Sequence, residues 1–591
     1  MSTPDRLWRL RRPAPPSKIL RGFSGMSPVL AQVLYNRGMR GPDEAKAFLE
    51  IKTIDSNPFD MKGMNEAVQR IRRAIKDKEK IAVYGDFDAD GVTSTVLTVQ
   101  VLRALGADVR PYIPHRIDEG YGLNADALRK LAADGVRVVV TVDCGIRSVN
   151  EVEDGKRAGL VMIVTDHHSV RRELVEGGKD IVPDALAVIN PKQANCKYGR
   201  KHGDMLAGVG VAFRLADALL RAASHDEKKP SIQRDDLLDL VAIGTVADLA
   251  PLDRLENRAL VRMGLDALNR AERPGIRALL EVSGVKPGQV TAMTIGFALG
   301  PRINAAGRLD SAMLAYDLLA APDYETALPL AQRLQELNVQ RQDLTREAQE
   351  MVRDMFGPDG ISDEIPLIFA TDADFPPEKK FRPGIVGLVA GRLAEEYYRP
   401  AVVMEMGETE SRASCRSIPQ FDITAALDRC SELLVRHGGH AQAAGLTVTN
   451  ENISRLREQL EAAATAAFED EPPQRILEYD AEVDLRDLSE ALWEELQQLE
   501  PTGHSNEKPV LVSRRVRVQD KRTVGADGQH LKLKLTRADA APLDAIAFRL
   551  GERADALPDV VDIAYQLDMN EWNGSRSLQL VVQDIKPADA G

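Results

Sequence analysis

At 591 residues the chain is too long for one hydrophobic core, so three or four domains are expected. A composition of 44% hydrophobic and 28% charged residues excludes a disordered chain, and the absence of any uninterrupted apolar stretch of bilayer length excludes a membrane-spanning helix. The formal net charge of −13 weighs modestly against a nucleic-acid partner, but binding follows local basic patches and not the total.

Met1 to Trp8 is polar and then basic, without the apolar region of a signal peptide. The four cysteines, Cys144, Cys196, Cys415 and Cys430, lie far apart, which predicts neither disulfides nor a zinc site and suits a reducing cytoplasm. Ser27 to Leu34 and Pro42 to Leu49 carry helix-start chemistry, Pro after Ser or Gly and acids in a first turn. Residues 1–55 therefore read as an amino-terminal helical cap.

The apolar run Ile81 to Tyr84 predicts a buried strand that Gly85 ends. Asp86, Asp88 and Asp90 follow at alternate positions, and Thr93 to Leu105 predicts a helix. Three acids at the tip of a buried strand repel one another, and a divalent cation with a taste for oxygen ligands, Mg²⁺ or Mn²⁺, removes that repulsion. A solvated acidic turn is the competing reading of this loop alone.

The device then recurs. A helical pattern from Asn124 to Ala133 precedes the β-branched run Val136 to Val142, which ends at Asp143. A second, Val149 to Ala158, precedes Leu160 to Val164, which ends in Thr165-Asp166-His167-His168. Alternating strands and helices predict a parallel sheet whose ligand site lies beyond the carboxyl ends of its strands. Asp86, Asp88, Asp143, Asp166 and His167 all fall there. Asp235 to Ala250 is helical in pattern, and Asp248 near its carboxyl end requires a metal or basic partner.

Between these stretches, Pro114 to Gly122 places His115, Arg116 and Tyr121 in a loop suited to stacking and phosphate contact, or to plain connection. Asn195 to Gly203 is a basic loop. Arg302, Asn304 and Arg308 fall in a Gly/Ala-rich loop, either an exposed turn or a close approach to a phosphate backbone. Tyr324 to Phe356 predicts one long connecting helix. Residues 360–465 predict a second α/β lobe, in which Ser411 to Ser417 and the glycine-rich His437 to Gly445 can present Ser414, Arg416 and His440 to an anion. After Pro472-Pro473, strand-like runs separated by Asp527-Gly528 and Asn573-Gly574 predict a small β-barrel. Arg514, Arg515, Arg517, Lys532 and Lys534 alternate along it, as a basic face for single-stranded DNA or a solvated one.

Gly85-Asp-Phe-Asp-Ala-Asp-Gly91, Asp143, Asp166-His167-His168 and Gly244-Thr-Val-Ala-Asp248 resemble the successive motifs of the DHH phosphoesterase superfamily. Gly300 to Arg308 and Arg436 to Gly445 narrow the resemblance to the RecJ family of single-strand-specific DNA exonucleases, from about residue 60 to 450 and more weakly to the end. The resemblance implies an α/β fold: a DHH parallel-sheet catalytic domain over 56–285, a phosphate-contact loop and connecting helix over 286–358, a DHHA1 domain over 359–470 and an OB-fold barrel over 474–591. It implies two Mn²⁺ or Mg²⁺ ions sharing Asp143, with Asp86, Asp88, Asp166, His167 and Asp248 completing their shells and Asp90 an additional candidate. His168, with Asp143 and Asp166, would act at the scissile phosphate. Arg116, Tyr121, Arg302, Asn304 and Arg308 would contact substrate, while Ser414, Arg416 and His440 would hold a 5′-terminal phosphate.

The implied activity is 5′→3′ release of 5′-mononucleotides from single-stranded DNA, in recombination and repair, beside a single-strand-binding protein and a helicase and away from membranes. Glu500 to Asn506 departs from the family's Gly-rich version after Gly503. An enzyme of short oligonucleotides or cyclic dinucleotides, or a DNA-binding scaffold with a decayed site, is the alternative.

Overall fold

A computed structural model of the protein describes residues 6–12, 17, 21–51, 53, 56–173, 178–224, 226–227, 229–357, 360–362, 364–376, 379–470, 472–537, 541–572 and 575–588. The chain forms two compact units, one of residues 54–250 and 263–473, the other of 1–53, 251–262 and 474–591.

In the first unit, α1 (Met64–Lys76) precedes five parallel strands, β1 (Lys80–Tyr84), β2 (Val109–Tyr112), β3 (Val136–Thr141), β4 (Val161–Thr165) and β5 (Ala187–Ile189), in the order 2-1-3-4-5. The crossovers carry α2 (Ala89–Ala104), α3 (Ala125–Ala133) and α4 (Val149–Arg157). Ile81 to Tyr84 are all buried, as a strand covered on both faces requires. Helix α2 buries nearly its whole length through Leu102 because α5 (Gly208–Ala223) and α6 (Leu238–Ala247) both pack on it. That explains apolar residues on more than one of its faces. A π turn at Ile295–Leu299 then runs into α7 (Gly300–Leu309), and α8 (Tyr324–Met355) is the expected long helix.

The stretch read as a Gly/Ala-rich loop is thus helical. Pro301, which brings no N–H to the ladder, follows directly on the π turn in the first turn of α7. Gly307 lets α7 lie against the backbone of Phe87, where a Cβ would come within 2.5 Å of the carbonyl oxygen.

The second lobe of this unit holds β6 (Ile368–Thr371), α9 (Val386–Tyr397), β7 (Ala401–Glu405), β8 (Glu410–Arg416), β9 (Leu434–His440), β10 (Ala443–Thr449) and α10 (Ile453–Phe468). Strand order is 9-10-8-7-6, with only β6 and β7 parallel. The presumed glycine-rich turn is therefore sheet. Arg412, Ser414 and Arg416 alternate with the buried Ala413 and Cys415, a period of two that marks a strand.

In the other unit, β11 (Leu511–Val524), β12 (His530–Thr536), β13 (Leu543–Ala547), β14 (Val560–Trp572) and β15 (Ser575–Pro587) pair in the order 11-12-13-15-14, and β14 pairs back onto β11. Only β13 and β15 are parallel, so this is a closed five-stranded barrel of OB type. Asp527-Gly528 forms the β11–β12 turn; Asn573-Gly574 lies outside the described residues. The helices Pro28–Asn36 and Pro42–Glu50 contribute Leu30, Leu34 and Phe48 to the same core as Leu511, Leu533 and Ile563. The buried Arg258 ties three segments of this unit, donating to the carbonyls of Phe48 (2.7 Å), Leu499 (2.8 Å) and Glu500 (2.8 Å). All four cysteines are free and buried. Among the described residues, no helix is long and apolar enough to cross a membrane.

Candidate metal centre and substrate cleft

The carboxyl ends of β1, β3 and β4 deliver Asp86, Asp143 and Asp166 to one edge of the sheet. Asp88 caps α2, accepting from the N–H groups of Asp90 (2.9 Å) and Gly91 (3.0 Å). Asp143 follows β3 in a left-handed backbone conformation, φ 61°, which a short polar side chain tolerates at some strain. Helix α5 begins hard against it: a Cβ on Gly208 would lie 2.6 Å from Asp143 Oδ1.

Two groups of ligand atoms result, each within 4.8 Å: Asp86, Asp88 and Asp143, and Asp143, Asp166, His167 and His168. Asp143 belongs to both. A third group joins Asp90, His167 and Asp248. His167 Nε2 lies 3.1 Å from Asp143 Oδ1, out of line for a hydrogen bond, and 3.7 Å from Asp248 Oδ2. Asp86 Oδ1, Asp143 Oδ1 and His167 Nε2 are buried without a hydrogen-bond partner among the described residues. Buried polar atoms left so are costly unless something binds them. Carboxylate oxygens with one imidazole and no thiolate suit Mn²⁺ or Mg²⁺.

Two members of these groups also hold hydrogen bonds within the protein. Asp90 accepts from the Gly208 and Val209 N–H groups, both at 2.7 Å, at the start of α5. Asp166 accepts four hydrogen bonds, from the N–H groups of Ile146, His167 and His168 and from His168 Nδ1 at 2.7 Å.

Burial, then the neighbouring Asp88, pushes Asp86 up to about 8 and Asp248 up to about 7. Asp143 is raised well above the usual range by burial and by Asp90, Asp88 and Asp86. For Asp166 burial is outweighed by the bond and charge of His168, holding it down to about 2. For His168 burial is likewise outweighed by Asp166, so its ring keeps a proton more readily than a free imidazole. Burial and His168 push His167 down to about 3, leaving it neutral and ready to ligate. The metal-free site thus carries a strong excess of mutual carboxylate repulsion.

Around this centre, the Arg116 guanidinium stacks 3.7 Å above the Phe87 ring, and the Tyr121 hydroxyl lies 3.3 Å from His168 Nδ1. Asn304 accepts from the Ala89 N–H at 2.7 Å and so touches the acidic loop itself. Arg302 is turned to Gln335 (2.8 Å) and the Ala298 carbonyl (2.7 Å), and Arg308 donates to the Gly384 carbonyl at 3.1 Å.

A cavity of about 390 Å³ connects the lobes of this unit, lined among others by Arg116, Arg412, Ser414, Arg436, Gly438 and Gly445. Ser414, Gly445 and Gly438 share one row of the sheet, and Arg412, Thr447 and Arg436 the next row on the same face. Arg416 and His440 lie farther along that face, outside the cavity lining; Arg416 donates to the Cys415 carbonyl (2.9 Å) and His440 is exposed. Arg412 and Arg436 were not singled out in the sequence, although the alternation of Arg412 with Ser414 and Arg416 was there to be read. On the barrel, Arg514 is held by Glu482 (2.9 Å) and Asp562 (3.0 Å), so it is less available than Lys532 and Lys534.

Family models match over three stretches: the DHH family, N-terminal domain (residues 80–245), the DHHA1 domain (367–466) and the RecJ OB domain (479–584). The chain is 36% identical over 583 residues to the single-stranded-DNA-specific exonuclease RecJ of Bacillus subtilis, covering 98% of this chain and 70% of that protein. It superposes on the crystal structure of RecJ in complex with Mn²⁺ from Thermus thermophilus with a TM-score of 0.81 and 29% identity, covering 100% of this chain and 81% of that one. The corresponding Mg²⁺ complex gives a TM-score of 0.76 and 28% identity, over 99% and 79%.

Proposed function

The chain belongs to the RecJ family of single-stranded-DNA-specific exonucleases, and we propose that it works from the 5′ end, releasing 5′-mononucleotides by hydrolysis at two metal ions. The observation that carries this is the position of Asp143, common to two of the three groups of ligand atoms. Mn²⁺ or Mg²⁺ would be held by Asp86, Asp88, Asp143, Asp166, His167 and Asp248, with Asp90 an additional candidate, and would supply Lewis acidity at the scissile phosphate.

The chain's own residues do the rest. Asp166 fixes the His168 ring and favours its protonation, so that the ring faces the phosphate and offsets its charge. Asp90 ties the acidic loop to α5, and Asn304 ties it to α7, holding the carboxylates in place. Arg116 and Tyr121 flank the reacting phosphate, and Ser414 with Arg412 and Arg436 receives the 5′-terminal phosphate one nucleotide away; Arg416 and His440 extend that basic face, as Arg302 and Arg308 do along α7. Water attacks phosphorus, the P–O3′ bond breaks, and the terminal nucleotide leaves with its own 5′-phosphate.

The working domain division is 56–285 for catalysis, 286–358 as connector, 359–470 for the 5′ end and 474–591 for the barrel, with 1–55 beside it. The barrel, through Lys532 and Lys534, contributes binding to the single strand. Buried free thiols suit a cytoplasmic location. An enzyme restricted to unpaired DNA needs a helicase to supply it and meets a single-strand-binding protein there. The test is timed digestion, with Mn²⁺, of single and double strands labelled at the 5′ or 3′ end. Mononucleotides should appear first from 5′-labelled single strands, and Asp143→Ala should abolish them; early release of a 3′ label overturns the polarity.

A further inference from the structure

Helix α7 has its carboxyl-terminal half on the acidic loop, through Asn304 and Gly307. Followed the other way, it enters the π turn Ile295–Leu299, where the hydrogen-bond ladder slips by one residue. There Phe297 stands 80% exposed, with Met293 one turn earlier 59% exposed. Phe297 therefore lies seven residues, roughly 10 Å along the axis, before Asn304 on one continuous helical segment.

An independent irregularity sits beside it. Leu249 follows the metal-site residue Asp248 with φ 56° and is 66% exposed. Its position closes α6, with the Ala250 N–H reaching back to the Thr245 carbonyl at 3.1 Å, a place where glycine is the usual residue. A leucine there is both strained and wet. Helix α6 packs on the π turn, and a Cβ on Gly300 would sit 3.6 Å from Ala247, so the two features border the same approach to the metal centre.

We propose that Phe297, with Met293 and Leu249, forms an apolar strip on which the unpaired bases 3′ of the scissile phosphate stack as the strand enters. This rests on the nuclease reading. The occupant follows from continuity: Leu249 directly follows the metal-site residue Asp248, and Phe297 and Met293 lie on the helical segment whose other end touches the acidic loop. Every base offers a π face, so stacking selects unpaired strands without selecting sequence. A base in a duplex already has both faces covered by its stacked neighbours, and gains nothing there.

The experiment measures kcat and KM with Mn²⁺ on a 5′-phosphorylated 20-mer, and on versions in which one abasic position is walked through the first eight. Phe297→Ala should raise KM about fivefold to a hundredfold with a smaller change in kcat, and Phe297→Trp should restore it. An abasic position at the contact should raise KM for the unsubstituted enzyme but not for Phe297→Ala. Phe297 is exposed, so its variants should melt with the unsubstituted protein. Unchanged KM in Phe297→Ala, or an equal abasic penalty in both enzymes, overturns the inference and leaves the strip to a protein partner. Failure of the unsubstituted enzyme to digest single strands overturns the nuclease reading instead.

Discussion

Asp86→Asn should stabilise the metal-free protein while destroying its activity. Asp86 is buried and its carboxyl is pushed up to about 8 by burial and by Asp88. In an unfolded chain it titrates near 3.9, and each unit of difference is worth about 1.4 kcal/mol. Between those values the unfolded chain has already lost the proton that the folded chain keeps. The unfolded state then binds fewer protons, so stability falls as pH rises from about 4 to about 8. At pH 8 the cost is on the order of 5 kcal/mol as a ceiling, since neighbouring carboxylates share the relief. Asparagine has nearly the same shape and no charge.

In EDTA at pH 8, Asp86→Asn should therefore withstand more denaturant than the unsubstituted protein, by ~2 kcal/mol or more, and the gap should close toward pH 4.5. Adding Mn²⁺ at a hundred times its dissociation constant stabilises the unsubstituted protein by about 2.7 kcal/mol and the variant by less, narrowing or reversing the order. Metal-free stability that stays flat between pH 5 and 8, or a variant weaker than its parent in EDTA at pH 8, would refute the reasoning.

His168→Asn should lower kcat by about 10²- to 10⁴-fold while calorimetric Mn²⁺ uptake stays near that of the parent, because the ring serves the phosphate and not the ions. Gly208→Ala places a methyl 2.6 Å from Asp143; Mn²⁺ affinity should drop, with a stability loss of about 1–3 kcal/mol in thermal melts. Lys532→Glu with Lys534→Glu should reduce the salt dependence of binding to long single strands, lowering the log–log slope by about 1.4, and an unaltered slope removes the barrel from the DNA path. Arg258→Ala strands several buried carbonyls, and the unit of residues 1–53, 251–262 and 474–591 should melt first, by circular dichroism, after losing ~3 kcal/mol or more.

The catalytic sheet was legible because its signals are local and repeat: an apolar run that gives way to an acid, three times over. Convergence at the strand ends then follows from topology alone. What escaped the sequence was of two kinds. Helix α7 and strands β8 and β9 hide behind glycine and alanine, residues that signal turns when isolated but here permit close approach, as at Gly307 against Phe87. The second kind depends on distant partners. Nothing near Asp90 says that it will cap α5, more than a hundred residues on. Nothing near Arg514 announces that Glu482 and Asp562 will take up its charge.

The core shared by Leu30, Leu34 and Phe48 with Leu511, Leu533 and Ile563 sets a timetable for biosynthesis. A ribosome adding about 5–20 residues per second needs roughly 25 to 90 s to travel from the first group to the second. Throughout that interval the early helices have their apolar faces bare, while the segment between them can already collapse into its own lobes. The nascent chain is thus a natural client for holding chaperones until its last strands emerge, and overproduction should yield aggregates seeded by the amino-terminal helices.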